Sequence, residues 1–505
     1  MASPSGQQAA YELRAPKSGP GILDPRTALL FWGAGSVALG LTVSILLAQG
    51  QIRNLVLLLL GVLGMLSLAP KRGVYILLVF LPFMYFIRRQ VLNFEEWDRR
   101  DPILLFPAIT TAAIFLGVLI FRGRVIFRCF RRSTTLKLVT ALMFLFAIQI
   151  LNPLQGSILV GVAGAMYFLV PIAWCYLGLL LDREDMSRIF RIIVILGLIT
   201  AVYGLYQHYF GLSQVEIYEL RSKDFLKSFG GVDNVRIMST FSSLGDFSLY
   251  LVVAGLLTFA AFWFSKQNIF LLGVFLLEIY TMVWMAVRTA FLLLLFSVTM
   301  FVIVQARSRM RIYLRGAVAI VLFVGTYATL STYNPERIYN QDFSSNPYVV
   351  HSLSGVTHPL QENTFQMRLQ NWKYIVTSTL MQFQAGRGLG STTTAAKKFE
   401  GGRPFEADSY FFELFYGSGV LAPVLFGGIA ILSLRRLLDL SLARPGVRQY
   451  RVALGLLCGA FLGSVFGGAV RDTITGPLLW LTVGWTLREG VDQAEEAAGA
   501  PSAQA

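Results

Sequence analysis

Residues 246–264 read DFSLYLVVAGLLTFAAFWF, and four residues further on 269–287 read IFLLGVFLLEIYTMVWMAV. Each run is close to the roughly 20 apolar residues that a helix needs to cross a hydrocarbon core of ~30 Å. Working outward from this pair, comparable runs lie near 27–48, 53–70, 73–88, 102–121, 137–154, 157–181 and 190–210 on one side. On the other they lie near 289–306, 313–331, 409–434, 452–470 and 474–488. The expected fold is therefore all-α: a polytopic transmembrane helical bundle of about 12–14 spans, with 73–88 and 474–488 the shortest. Composition agrees, because 55% hydrophobic and only 14% charged residues leave too little charge to cover a soluble surface.

The net charge of +15 would suit nucleic acid in a soluble protein. Here the cations gather in short loops between apolar runs, which suits an anionic membrane leaflet and excludes a nucleic-acid partner. One set of loops holds Lys71 and Arg72, the cations from Arg122 to Lys137, then Arg183, Arg188 and Arg191, then Lys266. The set continues with the arginines from Arg307 to Arg315 and from Arg435 to Arg451. The alternation assigns that side to the cytoplasm, together with both termini. It divides the chain into a disordered N-terminus (1–25), about eleven spans (26–331), a large outer loop (332–408), the last helices (409–488) and a solvated tail (489–505). The first apolar run reads as a retained signal anchor. Cys129, Cys175 and Cys458 are scattered and read as packing residues.

Three outer segments remain: 88–101, 211–245 and 332–408. The last is too long for a connector. Within it Phe365, Leu369, Trp372, Val376 and Leu380 recur at helical spacing, with Arg368 and Lys373 elsewhere around the turn, which predicts an amphipathic helix on the bundle or at the interface. GRGLGST (386–392) ends it in a glycine turn. It follows a helix rather than a strand, so it is no nucleotide loop.

Arg236 (VRIMSTFSSLGDF) and Arg288 (WMAVRTAFLLLL) stand on the outer side, where cations are depleted. Either could be a snorkelling boundary residue. A guanidinium wedged among apolar residues also matches a phosphate in a bidentate fork and keeps its proton. Asp408 opens the run ADSYFFELFYGSGVL, as a helix N-cap or as a general base toward a sugar hydroxyl. Glu413 and Glu278 are intramembrane carboxylates, functional suspects by default. Glu413 is close enough to Asp408 to shape its site, whereas Glu278 reads as a buried hydrogen-bonded group. His208, His351 and His358 form no metal-ligand pattern, so no metal or other cofactor is expected and arginines would neutralise any diphosphate.

In order, VYGLYQHYFGL, VRIMSTFSSLGDFSLYL, VRTAF, RLQNWKYIV, GRGLGS and ADSYFFELFYGSGVLA resemble the O-antigen ligase and Wzy-type polysaccharide polymerase family of bacterial inner membranes, over about residues 190–435. The resemblance implies a metal-independent membrane glycosyltransferase of the GT-C type, acting on undecaprenyl-diphosphate-linked glycans at the periplasmic face. Arg236 and Arg288 would then hold the diphosphate leaving group. Asp408-Ser409 stands where the family has His-Asn, and Ala422 replaces the second glycine of a closing G-x-x-G that begins at Gly419. Loss of that histidine points away from ligase and toward a polymerase of exopolysaccharide, capsule or O-antigen repeats. In that role Asp408, Arg288 and Arg236 are the catalytic expectation, with His351 or His358 in reserve as base. Substrate contacts are expected from Arg236, Arg288, Arg368, Trp372, Ser409 and Glu413. Expected partners are the lipid-linked repeats, the bilayer, a chain-length regulator and a flippase. An O-antigen ligase, a peptidoglycan polymerase of the shape-and-division type, and a flippase or transporter of lipid-linked oligosaccharides are the alternatives.

Overall fold

The computed structural model describes residues 62, 66, 69–91, 102–222, 236–265, 268–285, 287–306, 308–331, 363–393, 408–468 and 470–497. These belong, apart from residue 62, to one compact unit, Leu66–Ala505. The expected N-terminus and first apolar run, His351, His358 and residues 498–505 lie outside the described residues.

All regular structure among the described residues is helical. The helices are α1 (Pro70–Phe80), α2 (Met84–Val91), α3 (Pro102–Arg132), α4 (Thr134–Gln149), α5 (Ile158–Gly178), α6 (Arg183–Phe210) and α7 (Gln214–Ser222). Then follow α8 (Leu244–Phe264), α9 (Ile269–Met285), α10 (Arg288–Val304) and α11 (Arg309–Ser331). The last are α12 (Asn363–Met381), α13 (Tyr410–Ser418), α14 (Leu421–Ala443), α15 (Arg448–Phe466) and α16 (Thr475–Ala497). Side-chain caps set several starts: Ser133, Ser157, Ser243 and Ser409 each accept a backbone N–H of the first turn, and Asp182 forms a capping box with Asp185.

Seven helical segments are long and apolar enough to cross a membrane: Pro70–Gln90, Phe106–Arg132, α5, α6, α8, α14 and α15, with α4, α9 and α10 apolar but shorter. Large apolar side chains such as Ile120, Phe144, Ile195, Ile269 and Ile431 face outward. A surface of that kind needs lipid against it, so this is a multi-pass membrane protein.

Three expected boundaries move. The run 409–434 is not one helix: Gly419, at φ +76°, breaks it into α13 and α14, and a Cβ there would collide with the Gln384 carbonyl. The outer loop expected at 88–101 begins later, because Arg88 and Arg89 belong to α2 and are buried. Where a solvated tail is expected from Glu489, α16 instead runs on to Ala497. Glu489 is buried because Arg183 (2.8 Å) and the Tyr450 hydroxyl both donate to it.

Packing relies on small residues, as it must where lipid removes the hydrophobic drive between helices. Gly455, Gly459 and Gly463 on α15 lie against Phe301, Ser297 and Leu293 of α10. Gly178 of α5 and Gly484 of α16 bring those two backbones together. The α10–α15 register is antiparallel. Stepping four residues further, from Leu293 opposite Gly463, brings the start of α10 at Arg288 and Thr289 level with the turn after Phe466.

Candidate functional site

The segment 236–243 that carries Arg236 is a non-helical loop clamped from beneath. Gln207 on α6 accepts the backbone N–H groups of Met238 (3.2 Å) and Ser239 (2.6 Å), Ser239 donates its hydroxyl to the Thr200 carbonyl (2.7 Å), and Thr240 donates to that of Pro82 (2.6 Å). Arg89 is almost wholly buried and donates to the carbonyls of Ser239 (3.0 Å) and Phe241. Its charge is met by Glu219 (2.5 Å) and Glu216 (3.4 Å), and Arg88 adds a longer bridge to Glu219 (3.5 Å). A buried guanidinium with paired carboxylates and satisfied donors is rigid. Ser239 is held at φ +53°, a left-handed conformation unusual for serine. Arg236 itself is half-buried.

The second part is the start of α13. Its N-cap is Ser409, whose hydroxyl accepts from Phe412 N (3.4 Å) and donates to the Ser464 carbonyl (3.3 Å). Asp408 is therefore not the cap. It precedes the cap at φ +50°, with a half-exposed carboxylate that accepts from Arg368 Nε at 3.2 Å. Ser239 and Asp408 are the two non-glycine residues with positive φ among the described residues. One turn into α13, Glu413 is buried and pairs with Arg471 at 2.6 Å. Arg471 also lies over the Phe168 ring (5.9 Å to the centroid).

Helix α12 packs on α13 through only part of the stripe that its sequence suggests, with Trp372 in the contact. Its buried face runs through Ile375, Ser378 and Thr379, while Leu369 and Leu380 are 42% and 46% exposed. Trp372 stacks on Phe412 (centroids 4.7 Å apart), Ile375 meets Tyr416, and Thr379 donates to the Phe415 carbonyl near the end of α13. Thr379 sits on the buried face to serve the end of the neighbouring helix, while Ser378 donates back to the Ile375 carbonyl of its own helix (3.2 Å). This packing carries Arg368 to Asp408.

The glycine segment is a strap. The Ala385 carbonyl accepts from Gln149 (2.6 Å) and that of Gly386 from Asn152 (3.0 Å). Arg387 N and Gly388 N donate to the carbonyls of Tyr416 (3.0 Å) and Gly417 (2.9 Å). Gly388 is left-handed at φ +100°, and a Cβ there would strike Gln155. The Arg387 guanidinium is stacked on Phe383 and Tyr416, at 4.0 and 4.7 Å from their ring centroids.

Tyr410 N donates to the Gly467 carbonyl (2.9 Å), so the start of α13 sits on the turn that leads to Arg471. The next residue, Asp472, is buried. It accepts from Thr475 N (2.7 Å) at the start of α16 and interacts electrostatically with Asp246 of α8, which accepts from Ser242 (2.7 Å) at the end of the Arg236 loop. Burial first, and Asp246 second, push the Asp472 carboxyl well above the ordinary carboxylate range. The structure thus gathers Arg368, Trp372, Asp408, Ser409 and Glu413 in one cluster. It joins the Arg236 loop to that cluster through Asp246 and Asp472, and the helix register brings the half-buried Arg288 to the same end of the bundle. His208 stands apart, stacked on Trp284 (3.8 Å), and Glu278 is fully buried with a hydrogen bond from Thr258 (3.2 Å).

Arg89, Arg471 and the Asp246–Asp472 pair were not singled out by sequence reasoning. A signal existed for Arg471: it follows an apolar run on the same side as Arg236 and Arg288, in FGGAVRDTITG. For Arg89 the sequence shows only a charged stretch. No protein-family model matches this sequence, and no curated protein matches it either.

Proposed function

We propose that this protein is a polysaccharide polymerase: a membrane glycosyltransferase that moves a growing glycan from undecaprenyl diphosphate to the next lipid-linked repeat at the periplasmic face of a bacterial inner membrane. In this reading the arginine-rich ends of α3, α11 and α14 face the cytoplasm, as do both termini. The donor's bond between the anomeric carbon and the phosphate oxygen breaks as a hydroxyl of the acceptor repeat forms the new glycosidic bond. Asp408 takes the hydroxyl proton. Charge grows on the departing diphosphate, and Arg236 and Arg288 stabilise it there more than in the ground state. Arg368 and Trp372 hold the acceptor edge, and Glu413 shapes the field beneath Asp408.

The observation that carries the reading is the placement of backbone strain. Ser239 and Asp408 lie on the two segments whose side chains were assigned to leaving group and base, and such strain concentrates at functional sites. The alternating Arg368–Asp408 and Glu413–Arg471 pairs supply charge of both signs beside it. The test is conversion of a defined undecaprenyl-linked repeat by the purified protein without added metal or nucleotide. Longer glycan on the lipid and release of undecaprenyl diphosphate are expected. Transfer only to a different acceptor class would favour a ligase, and transbilayer movement without bond formation would favour a flippase.

A further inference from the structure

Elsewhere in the bundle, the end of α3, the start of α4 and the last third of α14 enclose a cavity of about 330 Å³ with α16. Arg132, Arg435 and Arg436 reach into it, alongside Thr134 and Thr135 of the first turn of α4. That turn also offers backbone N–H groups, which a helix start leaves without intrahelical acceptors.

The charge around the cavity does not cancel. Glu495 is shared between Arg132 (2.6 Å) and Arg128 (4.0 Å), Asp439 is held by Arg309 (2.6 Å), and Arg436 donates to the Gly490 carbonyl. Arg435 is exposed and has no ion-pair partner among the described residues. Among the residues lining the cavity, three arginines face one carboxylate. Leu432, Leu487 and Val491 form the apolar part of the wall. Beside it, Ile431 is 68% exposed one turn before Arg435, and Phe127 is 58% exposed near the end of α3.

We infer that this cavity binds the phosphate headgroup of an anionic phospholipid, with its acyl chains lying over Ile431 and Phe127. The volume falls in the range of small-ligand sites. Guanidinium forks and helix N–H groups fit a phosphodiester, and basic pockets between membrane helices are suited to such headgroups. A free phosphate ion would satisfy the same arginines but would gain nothing from the apolar flank, so a lipid is the better match.

The full chain in detergent would be titrated with phosphatidylglycerol, with phosphatidylcholine, or with inorganic phosphate at matched phosphate concentration. Retention is read by native mass spectrometry and stability by melting temperature. Phosphatidylglycerol should be retained and should raise the melting temperature; phosphatidylcholine and inorganic phosphate should not. Arg435→Gln should weaken retention about tenfold, and Arg435→Lys should restore part of it. Thr134→Asp places a like charge in the cavity at a helix start, where an acidic residue is tolerated by the helix itself, and should abolish retention. Equal retention by the wild type and both weakened variants would overturn the site. Equal stabilisation by inorganic phosphate would overturn the lipid assignment.

Discussion

Asp408 offers the sharpest separation between folding and chemistry. A left-handed backbone costs an ordinary L-residue roughly 1–2 kcal/mol, and Asp and Asn tolerate it better than most. Its ion pair with Arg368 is 3.2 Å long between side chains 35% and 49% exposed. An exposed pair contributes under about 1 kcal/mol. Asp408→Asn keeps the left-handed tolerance and an oxygen for Arg368, so its stability should change by less than about 1 kcal/mol. Asp408→Gly relieves the strain while adding glycine's entropic penalty of about 0.5–1 kcal/mol, again with a small net change. Only Asp408→Ala should lose measurably, since it keeps the strained backbone without the hydrogen bond. Activity should not follow that order. If the carboxylate accepts the acceptor's proton, all three variants should fall by about 10²–10⁴-fold. The assay pairs thermal unfolding in detergent with extension of a defined lipid-linked repeat, quantified by glycan length. Near-normal extension by Asp408→Asn would refute the assignment; activity losses tracking the melting temperatures would make Asp408 a structural residue.

Arg471→Ala strands a buried carboxylate and should cost about 3–5 kcal/mol, most of it recovered when Glu413→Leu is added; additive losses in thermal melts would show that the two side chains are not coupled. Burial beside Asp246 raises the Asp472 carboxyl above its ordinary 3.8 in the folded protein. Its contribution is therefore present below about pH 4 and lost as pH rises through the raised folded-state pKa, so melting temperature should fall as pH rises from about 4. Asp472→Asn retains an oxygen for Thr475 N and should flatten that slope; parallel curves would exclude Asp472 as its source. Gly459→Leu should destabilise by about 1–3 kcal/mol through overpacking against Ser297, with partial rescue by Ser297→Gly in the same melts. Arg288→Ala should leave the protein in the membrane while long polymer disappears from a surface-polysaccharide gel; unchanged length would remove Arg288 from the mechanism.

Helix existence was legible because it is dictated by solvent: an apolar run of span length has few alternatives, and α5, α6, α8 and α15 stand close to where their runs predict. What escaped was set by single contacts. Hydropathy cannot see that Gly419 must be left-handed to clear the Gln384 carbonyl, so α13 and α14 read as one span. Periodicity marked α12 as amphipathic but drew its stripe only partly right: Trp372 packs on α13, whereas Leu369 and Leu380 are exposed and Thr379 is buried to serve the Phe415 carbonyl rather than for apolar area. The cluster of Arg368, Trp372, Asp408, Ser409 and Glu413 was legible as a set of residues. Its counter-ion Arg471 was not, since that pairing spans 58 residues and depends on α13 docking at the end of α15.

The Arg89 network explains why the Arg236 loop needs so little secondary structure of its own. Under the proposed function, a loop that presents a cation to a diphosphate gains catalytic advantage only if it does not reorganise when charge develops. Here its carbonyls at Ser239 and Phe241 are tied to one buried guanidinium, and its N–H groups at Met238 and Ser239 to one buried amide. Glu216 is the joint, taking hydrogen bonds from Gln207 (2.6 Å), Tyr203 (3.1 Å) and Ser213 (3.0 Å) as well as its ion pair with Arg89. Removing the joint leaves Arg89 and Gln207 buried with fewer partners, so Glu216→Gln should loosen the loop without touching any group assigned to substrate. Faster hydrogen exchange at 236–243, with loss of polymer extension while the rest of the bundle stays protected, is the expected signature. Unchanged exchange in that segment would mean the clamp is not what orders it.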